Sequence, residues 1–398
     1  MAKMGNWTIE QIGSVINAIN KQSTGETANI AVTDTGSFVS VAQKTLAAAG
    51  YEKIMGSISQ VLSKTIFSYR PYSAKFKGLE ADAIRYGNHV RKIQPCDSDM
   101  DTEDNRYDLN GQTLADGDSV DQWEIKKIKT LQTNIYSMDV FSDHYTVFQE
   151  QLDTAFSSAS EFGNFLSMLM AYFTDKLTVT REGLARAILQ NFITGKIKAQ
   201  NGVFHMLTEY QNETGESLDS FTVMAPENFA PFAKWFKGKL EDIRDGMEDY
   251  GLLYHINPTG YKIPRHTPRA DQKLYMNNRF LNAIRANVLP DVFNKEFLDF
   301  GEVEAVTYWQ NQNDPMSIYA KASWMKADGS VDYDSTGLKT DHVIGVLFDK
   351  EAMGYTPIFT KMNTTHLNAN GDYYNIFAKE NRREWNDFTE NAMVFLLD

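Results

Sequence analysis

The sequence predicts an α+β fold, because helical and strand-like patterns both recur along a chain of 398 residues. From Asp153 to Ile193, apolar side chains recur at helical spacing, which predicts one long helix. Two alternating runs before this helix, and an uninterrupted apolar run at Val343–Phe348, predict strands. A hydrophobic fraction of 42% is enough to bury a sizeable core, so we expect roughly two or three packed units.

Composition excludes several classes of protein. The formal net charge of −13 argues against sequence-specific nucleic-acid binding, because neutralisation of phosphates supplies most of that affinity. The single cysteine, Cys96, rules out an intrachain disulfide and fits maturation in a reducing cytoplasm. Met1–Gly13 lacks the apolar stretch of a signal peptide, and Phe165–Phe173 is far shorter than a membrane span. We therefore expect no membrane partner and no export by a standard signal.

The N-terminal part is predicted to be helical with one polar interruption. Apolar residues at helical spacing predict a short amphipathic helix over Trp7–Asn20. Lys21–Gly36 is polar and rich in threonine and glycine, so we expect a flexible arm there. Two further helical stretches follow, and one face of the second carries Ile54, Ile58, Val61 and Leu62.

A long two-stranded protrusion is predicted from about Tyr69 to Ile135. Ile84–Arg91 alternates with period two, and a less regular alternation covers Trp123–Ile135. The segment between them, Asp97–Gln122, is loop-like and strongly acidic. Because isolated hairpins are marginal in water, we expect a neighbouring copy to hold this protrusion. The candidate inter-subunit contacts are the basic residues Arg85, Arg91, Lys92, Lys126, Lys127 and Lys129 and the acidic residues Asp97, Asp99, Asp101 and Asp104.

The long helix after the protrusion has two predicted irregularities. Gly195 is expected to end it as a C-cap, since glycine tolerates the left-handed conformation found there. Thr178–Thr180 is expected to bend or break it, because β-branched residues are weaker helix formers.

The remaining chain is predicted to mix helices and strands. Phe221, Val223 and Ala225 are expected in a strand, followed by a helix that begins at Pro226. That helix is expected to bury Phe229, Phe232, Phe236, Leu240 and Ile243. Val343–Phe348 predicts a buried strand, and two closing strands, Asp372–Lys379 and Trp385–Leu397, are expected to tie the C-terminus into a sheet.

Templates for catalysis and cofactor binding fail, so we expect neither enzyme activity nor a cofactor. The pair Gly195-Lys196 lacks the preceding glycine and the following serine or threonine of a phosphate-binding loop. Asp341-His342 could be half of an acid–base pair, although a strand-edge cap is the commoner role of such a pair.

One acidic stretch partly matches a calcium-binding loop. Asp97, Asp99 and Asp101 mimic its first ligands, but Thr102 stands where the sharp turn needs glycine. They are weak calcium candidates, and a solvated or partner-facing acidic loop is the favoured interpretation.

Short stretches and the order of the predicted parts resemble a known family. Ser157–Phe165 is similar to the start of the long helix in capsid proteins of small short-tailed phages. Val346–Glu351 resembles the strand end at which such proteins leave their A-domain. Tyr373–Asn375 and Asn391–Phe395 resemble their closing pair of strands. The chain thus resembles tailed-bacteriophage major capsid proteins with the Hong Kong 97 (HK97)-like fold, and most of all those of podovirus, phi29-like phages.

This resemblance implies an HK97-like capsid fold with N-arm, long β-hairpin E-loop, long spine helix, P-domain sheet and mixed α/β A-domain. The N-terminal arm and helix would take residues 1–50, the E-loop 68–130 and the A-domain 201–350. The P-domain would take 51–67, 131–200 and 351–398, with the spine helix at about 153–193.

The same resemblance implies a structural role in a virion. Subunits would form pentamers and hexamers of an icosahedral capsid around a double-stranded DNA genome, assembled in the host bacterial cytoplasm. Portal and scaffolding proteins would be partners, and packaged DNA would lie in non-specific proximity. The alternatives are an encapsulin-like shell subunit and another phage virion protein of the tail or baseplate.

Overall fold

A computed structural model describes residues 9–24, 37–45, 54, 76–81, 90–96, 123, 127, 129–135, 139–287 and 303–398. The chain divides into two compact units. The first comprises Met1–Tyr86, Met138–Ala185 and Tyr355–Glu384, and the second comprises Gly87–Ser137, Arg186–Gly354 and Trp385–Asp398. None of the described helices combines the length and the apolarity needed to cross a membrane.

Helices and strands are both present along the described chain. The helices are α1 (Ile9–Thr24), α2 (37–45), α3 (Gln149–Ala155), α4 (Ala159–Ala199), α5 (Met206–Thr214), α6 (Pro226–Glu248) and α7 (Asn278–Asn287). The strands are β1 (Val90–Pro95), β2 (Thr130–Ile135), β3 (Asp139–Phe148), β4 (Val203–His205), β5 (Gln272–Asn277), β6 (Val303–Val306), β7 (Ile318–Ala320), β8 (Ser323–Met325), β9 (Val331–Tyr333), β10 (Leu338–Thr340), β11 (Val343–Asp349), β12 (Met353–Thr364), β13 (Tyr373–Asn386) and β14 (Ala392–Leu396).

The first unit packs helices on one face of a three-stranded sheet with the order β12-β13-β3. Strands β13 and β3 are antiparallel, with Tyr373 opposite Phe148. The core collects the apolar faces of α1, α2 and the first half of α4 against the inward residues of this sheet. Phe162 is fully buried at its centre, and its ring lies 5.6 Å from the ring of Phe38. Ile376 contributes from the sheet.

The second unit is built on a five-stranded sheet with the order β4-β14-β11-β5-β6. All seven residues of β11 are buried, and this strand lies at the centre of the sheet. Its neighbours β14 and β5 both run antiparallel to it. The apolar side of α6 packs on the sheet through side chains such as Phe236, whose ring lies 5.4 Å from that of Phe395.

The predicted long helix is present, but its predicted ends and its predicted break are wrong. The chain turns at Phe156–Ser158, so α3 and α4 are separate helices, and the hydroxyl of Ser158 accepts a hydrogen bond from the Glu161 backbone at 3.2 Å. The helix α4 runs without interruption through Thr178 and Thr180. Each threonine hydroxyl donates to the carbonyl four residues earlier, at 2.7 Å, which satisfies the hydroxyl inside the helix.

Gly195 is not a C-cap, because α4 continues to Ala199. A Cβ atom at this position would lie 2.5 Å from the ring of Phe388 and 3.0 Å from the carbonyl oxygen of Ser323. The ring of Phe388 stacks on that of Phe192, one turn earlier in α4, with 5.1 Å between centroids. Glycine is therefore needed here for close packing, and not for a left-handed turn.

The predicted strand at Phe221–Ala225 is wrong. Thr222–Met224 form a single 3₁₀ turn. The carboxylate of Asp219 accepts hydrogen bonds from the backbone N–H groups of Phe221 at 2.9 Å and Thr222 at 2.6 Å. A side chain that satisfies two successive N–H groups favours a turn over a strand. Phe221 is 85% exposed, so it does not contribute to a sheet.

Several other predictions are confirmed. Pro226 begins α6, and the apolar residues expected on the inner face of α6 are all buried. Val343–Phe348 lies within β11. The C-terminal strand β14 lies between β4 and β11, which ties the C-terminus into the sheet, although Trp385 belongs to β13 instead of β14.

The N-terminal predictions are confirmed in part. The helix α1 covers most of Trp7–Asn20, but it continues to Thr24, so the first four residues of the predicted arm are helical. Residues 25–36 lie outside the described residues, as do Ile58, Val61 and Leu62.

Candidate inter-subunit interface

A pair of strands is present within the predicted protrusion, although its first strand overlaps the predicted run Ile84–Arg91 only at Val90 and Arg91 and continues to Pro95. Residues 82–89 lie outside the described residues. Strands β1 and β2 are antiparallel, with Val90 opposite Ile135 and Pro95 opposite Thr130. The Cys96 backbone N–H extends this pairing by donating to the carbonyl of Lys129 at 2.8 Å. We call β1 and β2 together the ribbon.

Successive side chains of a strand point to opposite faces. In the ribbon, one of these faces is buried and the other is exposed. Gln94 and Cys96 are buried, and Lys92, on the same face of β1, has a side chain only 21% exposed. On the other face, Arg91 is exposed and Ile93 is 58% exposed. The ribbon therefore lies with its Lys92 face against its own subunit, whereas the sequence led us to expect a neighbouring copy to hold it.

The predicted contact residues fall into three groups. Arg91, Lys127 and Lys129 are exposed to solvent. Lys92 is engaged within its own chain. The others lie outside the described residues, namely Arg85, Asp97, Asp99, Asp101, Asp104 and Lys126.

Lys92 forms ion pairs with carboxylates from two turns of the second unit. Its ammonium contacts Asp387 at 3.0 Å, Glu390, and the more exposed Glu351 at 3.5 Å. Burial alone would lower the pKa of Lys92, but the charges of Asp387 and Glu390 and their hydrogen bonds outweigh burial and raise it above 10.5. Lys92 therefore carries its charge throughout the neutral range.

Hydrogen bonds fix the Asp387 carboxylate and the backbone of the turn between β13 and β14. The Asp387 carboxylate accepts hydrogen bonds from the Thr389 backbone N–H at 2.9 Å and from its hydroxyl at 2.6 Å. The Asp387 backbone N–H donates to Ala352 at 2.7 Å, and the Phe388 carbonyl accepts from Ile256 at 2.9 Å. Residues 387–391 are all buried, although four of them are polar or charged.

Arg265 supplies the second cation of this site. Its guanidinium lies 3.1 Å from Glu390 and also donates to the Thr389 carbonyl at 3.0 Å. Burial raises the pKa of Glu390 above 4.5, because the charges of Lys92 and Arg265 offset only part of the desolvation. We call Lys92, Arg265, Asp387 and Glu390 the charge cluster. Removing one partner from such a buried group typically costs about 3–5 kcal/mol.

Sequence reasoning missed the partners of Lys92. Asp387 and Glu390 fall inside the predicted closing strand Trp385–Leu397, and Arg265 carried no pattern of its own. The one sequence feature that could have indicated an ion pair here was the presence of charged residues in a short segment flanked by apolar strands. That signal does not say which cation would meet them.

The remaining candidate sites receive structural roles or lie outside the described residues. The Asp341 carboxylate accepts hydrogen bonds from the Ser317 hydroxyl at 2.6 Å and from Lys339 at 3.0 Å, and both contacts lower its pKa. The His342 backbone has a φ of 60°, and its carbonyl accepts from Leu397 at 3.0 Å. The weak calcium candidates are not described, and no metal-binding group of three or more His, Cys, Asp or Glu side chains occurs in the described part of the chain.

The fold is similar to that of solved phage structures. A chain in the capsid structure of Staphylococcus phage Andhra aligns with a TM-score of 0.51 and 10% identity, covering 84% of this chain and 87% of that chain. A chain in the structure of the head fiber and inner core protein gp22 of native bacteriophage P68 aligns with a TM-score of 0.53 at 10% identity, with the same coverage of 84% and 87%. No curated protein sequence matches the chain. The mixed helix and sheet architecture is therefore that of a phage capsid structure.

A sequence-family model makes the assignment specific. The model of the Phi29-like phage major capsid protein matches residues 16–396, and the chain belongs to that family. It is thus a structural subunit of a bacteriophage capsid, a component of the virion that associates with other copies of itself in the shell.

Proposed function

We propose that this subunit builds an icosahedral shell from pentamers and hexamers and encloses a double-stranded DNA genome. In this proposal residues 1–50 form the N-terminal arm and helix, 68–130 the E-loop and 201–350 the A-domain. The P-domain takes 51–67, 131–200 and 351–398. Assembly takes place in the host cytoplasm with portal and scaffolding proteins as partners, without enzyme activity of the subunit. The family match over residues 16–396 is the observation that carries the proposal.

The inter-subunit contact in this proposal is electrostatic. Residues 97–122 contain nine acidic residues and a single arginine. Three basic residues are exposed to solvent, namely Arg91 on the exposed face of the ribbon and Lys127 and Lys129 just before β2. Opposite charges on different parts of one chain allow a contact that joins two unlike surfaces, and repeated contacts of this kind close rings. We propose that the acidic segment of one copy docks on a basic face of the next.

Charge reversal tests this contact. The variant Asp97→Lys/Asp99→Lys/Asp101→Lys should form fewer particles than the unaltered protein, as counted by electron microscopy. The loss should be greater at low salt, because screening is weakest there. Normal particle numbers at every ionic strength would remove the acidic segment from the contact.

A matched control separates the contact from net charge. Asp242, Glu248 and Asp249 are exposed near the end of α6, and their triple change to lysine alters the charge by the same amount. The control should assemble better than the Asp97 variant at low salt. Equal losses in the two variants would assign the effect to net charge.

The encapsulin-like and the tail or baseplate alternatives gain no support, since the matching family model describes a phage major capsid protein.

A further inference from the structure

We propose that Lys92 is a positioning residue, which through the charge cluster anchors the ribbon on its own subunit and so orients the exposed face with Arg91 toward the neighbouring copy. This inference rests on the proposed role of the ribbon in the inter-subunit contact. The anchoring itself can be tested in a single subunit.

The ribbon needs an anchor because its own pairing is weak. Among the described residues, β1 and β2 form a two-stranded sheet of six residue pairs without a third strand. Two-stranded hairpins are marginally stable in water. Side chains on the buried face must therefore supply much of what holds the ribbon in place.

Lys92 is the residue on that face that can do so. The side-chain amide of Gln94 is buried without a hydrogen-bond partner in the described part of the chain, and Cys96 is a small free thiol. Lys92 instead contacts three carboxylates, two of them with side chains only 6% and 7% exposed. Lys92 thus provides the one strong polar attachment on the buried face of β1. It lies two residues after Val90, the first residue of the strand.

The charges of the cluster explain why Lys92 stays on the buried face of the ribbon. Asp387 and Glu390 are balanced by Lys92 and Arg265. If the ribbon moved away, two buried carboxylates would share a single guanidinium, which is unfavourable in a poorly solvated site. Because Arg91 and Ile93 flank Lys92 and point the opposite way, an inward Lys92 keeps them outward.

The turn that carries Asp387 and Glu390 is itself held in place by the second unit. The Asp387 N–H donates to the Ala352 carbonyl at 2.7 Å, and the carbonyls of Phe388 and Asn391 accept from the N–H groups of Ile256 and Asp349 at 2.9 Å. The Phe388 ring stacks on Phe192 of α4. The ribbon is therefore joined to the central sheet and to α4 of the second unit through a rigid turn.

Hydrogen exchange in the unassembled full-length subunit tests the anchor. In Lys92→Met, the backbone amides of the ribbon should exchange at least about tenfold faster, since the attachment is lost, while those of β11 and β14 should be unchanged. Lys92→Arg should restore most of the protection, because it keeps the charge. Asp387→Asn, which weakens the cluster from the turn, should also loosen the ribbon.

A control on the ribbon itself is Gln132→Met, an exposed position of β2 away from the cluster, and its exchange should match that of the unaltered protein. Unchanged ribbon exchange in both Lys92→Met and Asp387→Asn would overturn the proposal. Equal acceleration in β11 and β14 would also overturn it, because Lys92 would then support the whole unit and not the ribbon.

Particle counts separate this inference from the proposed function. We expect Lys92→Met to form fewer particles and Lys92→Arg to recover them. A loosened ribbon together with normal particle formation would leave the anchor in place and refute the role of the ribbon in the inter-subunit contact.

Discussion

Replacing Lys196 with methionine should stabilise the subunit near neutral pH. Lys196 lies in the last turn of α4, and its side chain is fully buried. Its amine donates to the Asn201 side chain and to the Tyr254 carbonyl, both at 3.0 Å, but it forms no ion pair with any described residue. Burial without a counter-charge lowers its pKa from 10.5 to about 7.

The size of the effect follows from this pKa. A tenfold change in proton affinity corresponds to about 1.4 kcal/mol. The change from 10.5 to about 7 therefore corresponds to about 5 kcal/mol that disfavours the charged native state. Methionine removes that cost but leaves the Asn201 oxygen without its donor, a loss of about 1–3 kcal/mol. The Tyr254 carbonyl keeps a second donor, the Ala392 N–H at 2.9 Å. We expect a net gain of about 2–4 kcal/mol at pH 7 or below.

The pH dependence provides a second signature. Between pH 7 and 10.5 the unfolded chain binds more protons at this lysine than the native protein, so its contribution to stability rises with pH. The advantage of Lys196→Met should therefore shrink as the pH approaches 10. Urea unfolding of the unassembled subunit at pH 7 and pH 9.5 measures both quantities.

A neighbouring lysine gives a matched control. Lys198 also lies in the last turn of α4, but it pairs with Asp334 at 2.6 Å. Lys198→Met should not stabilise the protein, because it removes an ion pair instead of an unpaired charge. A destabilised Lys196→Met at pH 7 would show that the buried amine contributes favourably, which would refute this reasoning.

Two smaller perturbations probe packing and acid sensitivity. Gly195→Ala should lower the free energy of unfolding by about 1–3 kcal/mol, because the added methyl would meet the Phe388 ring. Gly183→Ala, in the same helix with open space around it, should raise the free energy of unfolding by about 0.5–1 kcal/mol. If urea unfolding shows Gly195→Ala to be the more stable of the two variants, the packing argument is contradicted. Burial lowers the pKa of His255 from 6.5 to about 4. As the pH falls from 6.5 to about 4, the unfolded chain therefore binds a proton at His255 that the native protein does not, and about 3 kcal/mol of stability is lost. In unfolding measured at pH 7 and pH 4.5, His255→Leu should remove that part of the acid dependence, and an unchanged dependence would assign it to other groups.

Much of the fold could be predicted because burial of a single element leaves a local pattern. The apolar residues of α6 repeat every three or four positions, and the sheet-facing side of this helix is buried as expected. The uninterrupted run in β11 predicts a strand covered on both faces, and all seven residues of β11 are buried. Predictions failed where a tertiary or side-chain contact overrode the local pattern, as at Gly195 and at Phe221.

The sequence by itself determined the mixture of helix and sheet, the long helix, the buried strand at Val343–Phe348 and the resemblance to phage capsid proteins. Each of these depends on patterns within a few tens of residues, or on the order of such patterns. Only the tertiary structure decided which face of the ribbon meets its own subunit. Lys92 and Asp387 are separated by 295 residues, so no local pattern could show that they meet. Their contact depends on the packing of the whole second unit, because a buried charge is stable only where the fold brings an opposite charge to it.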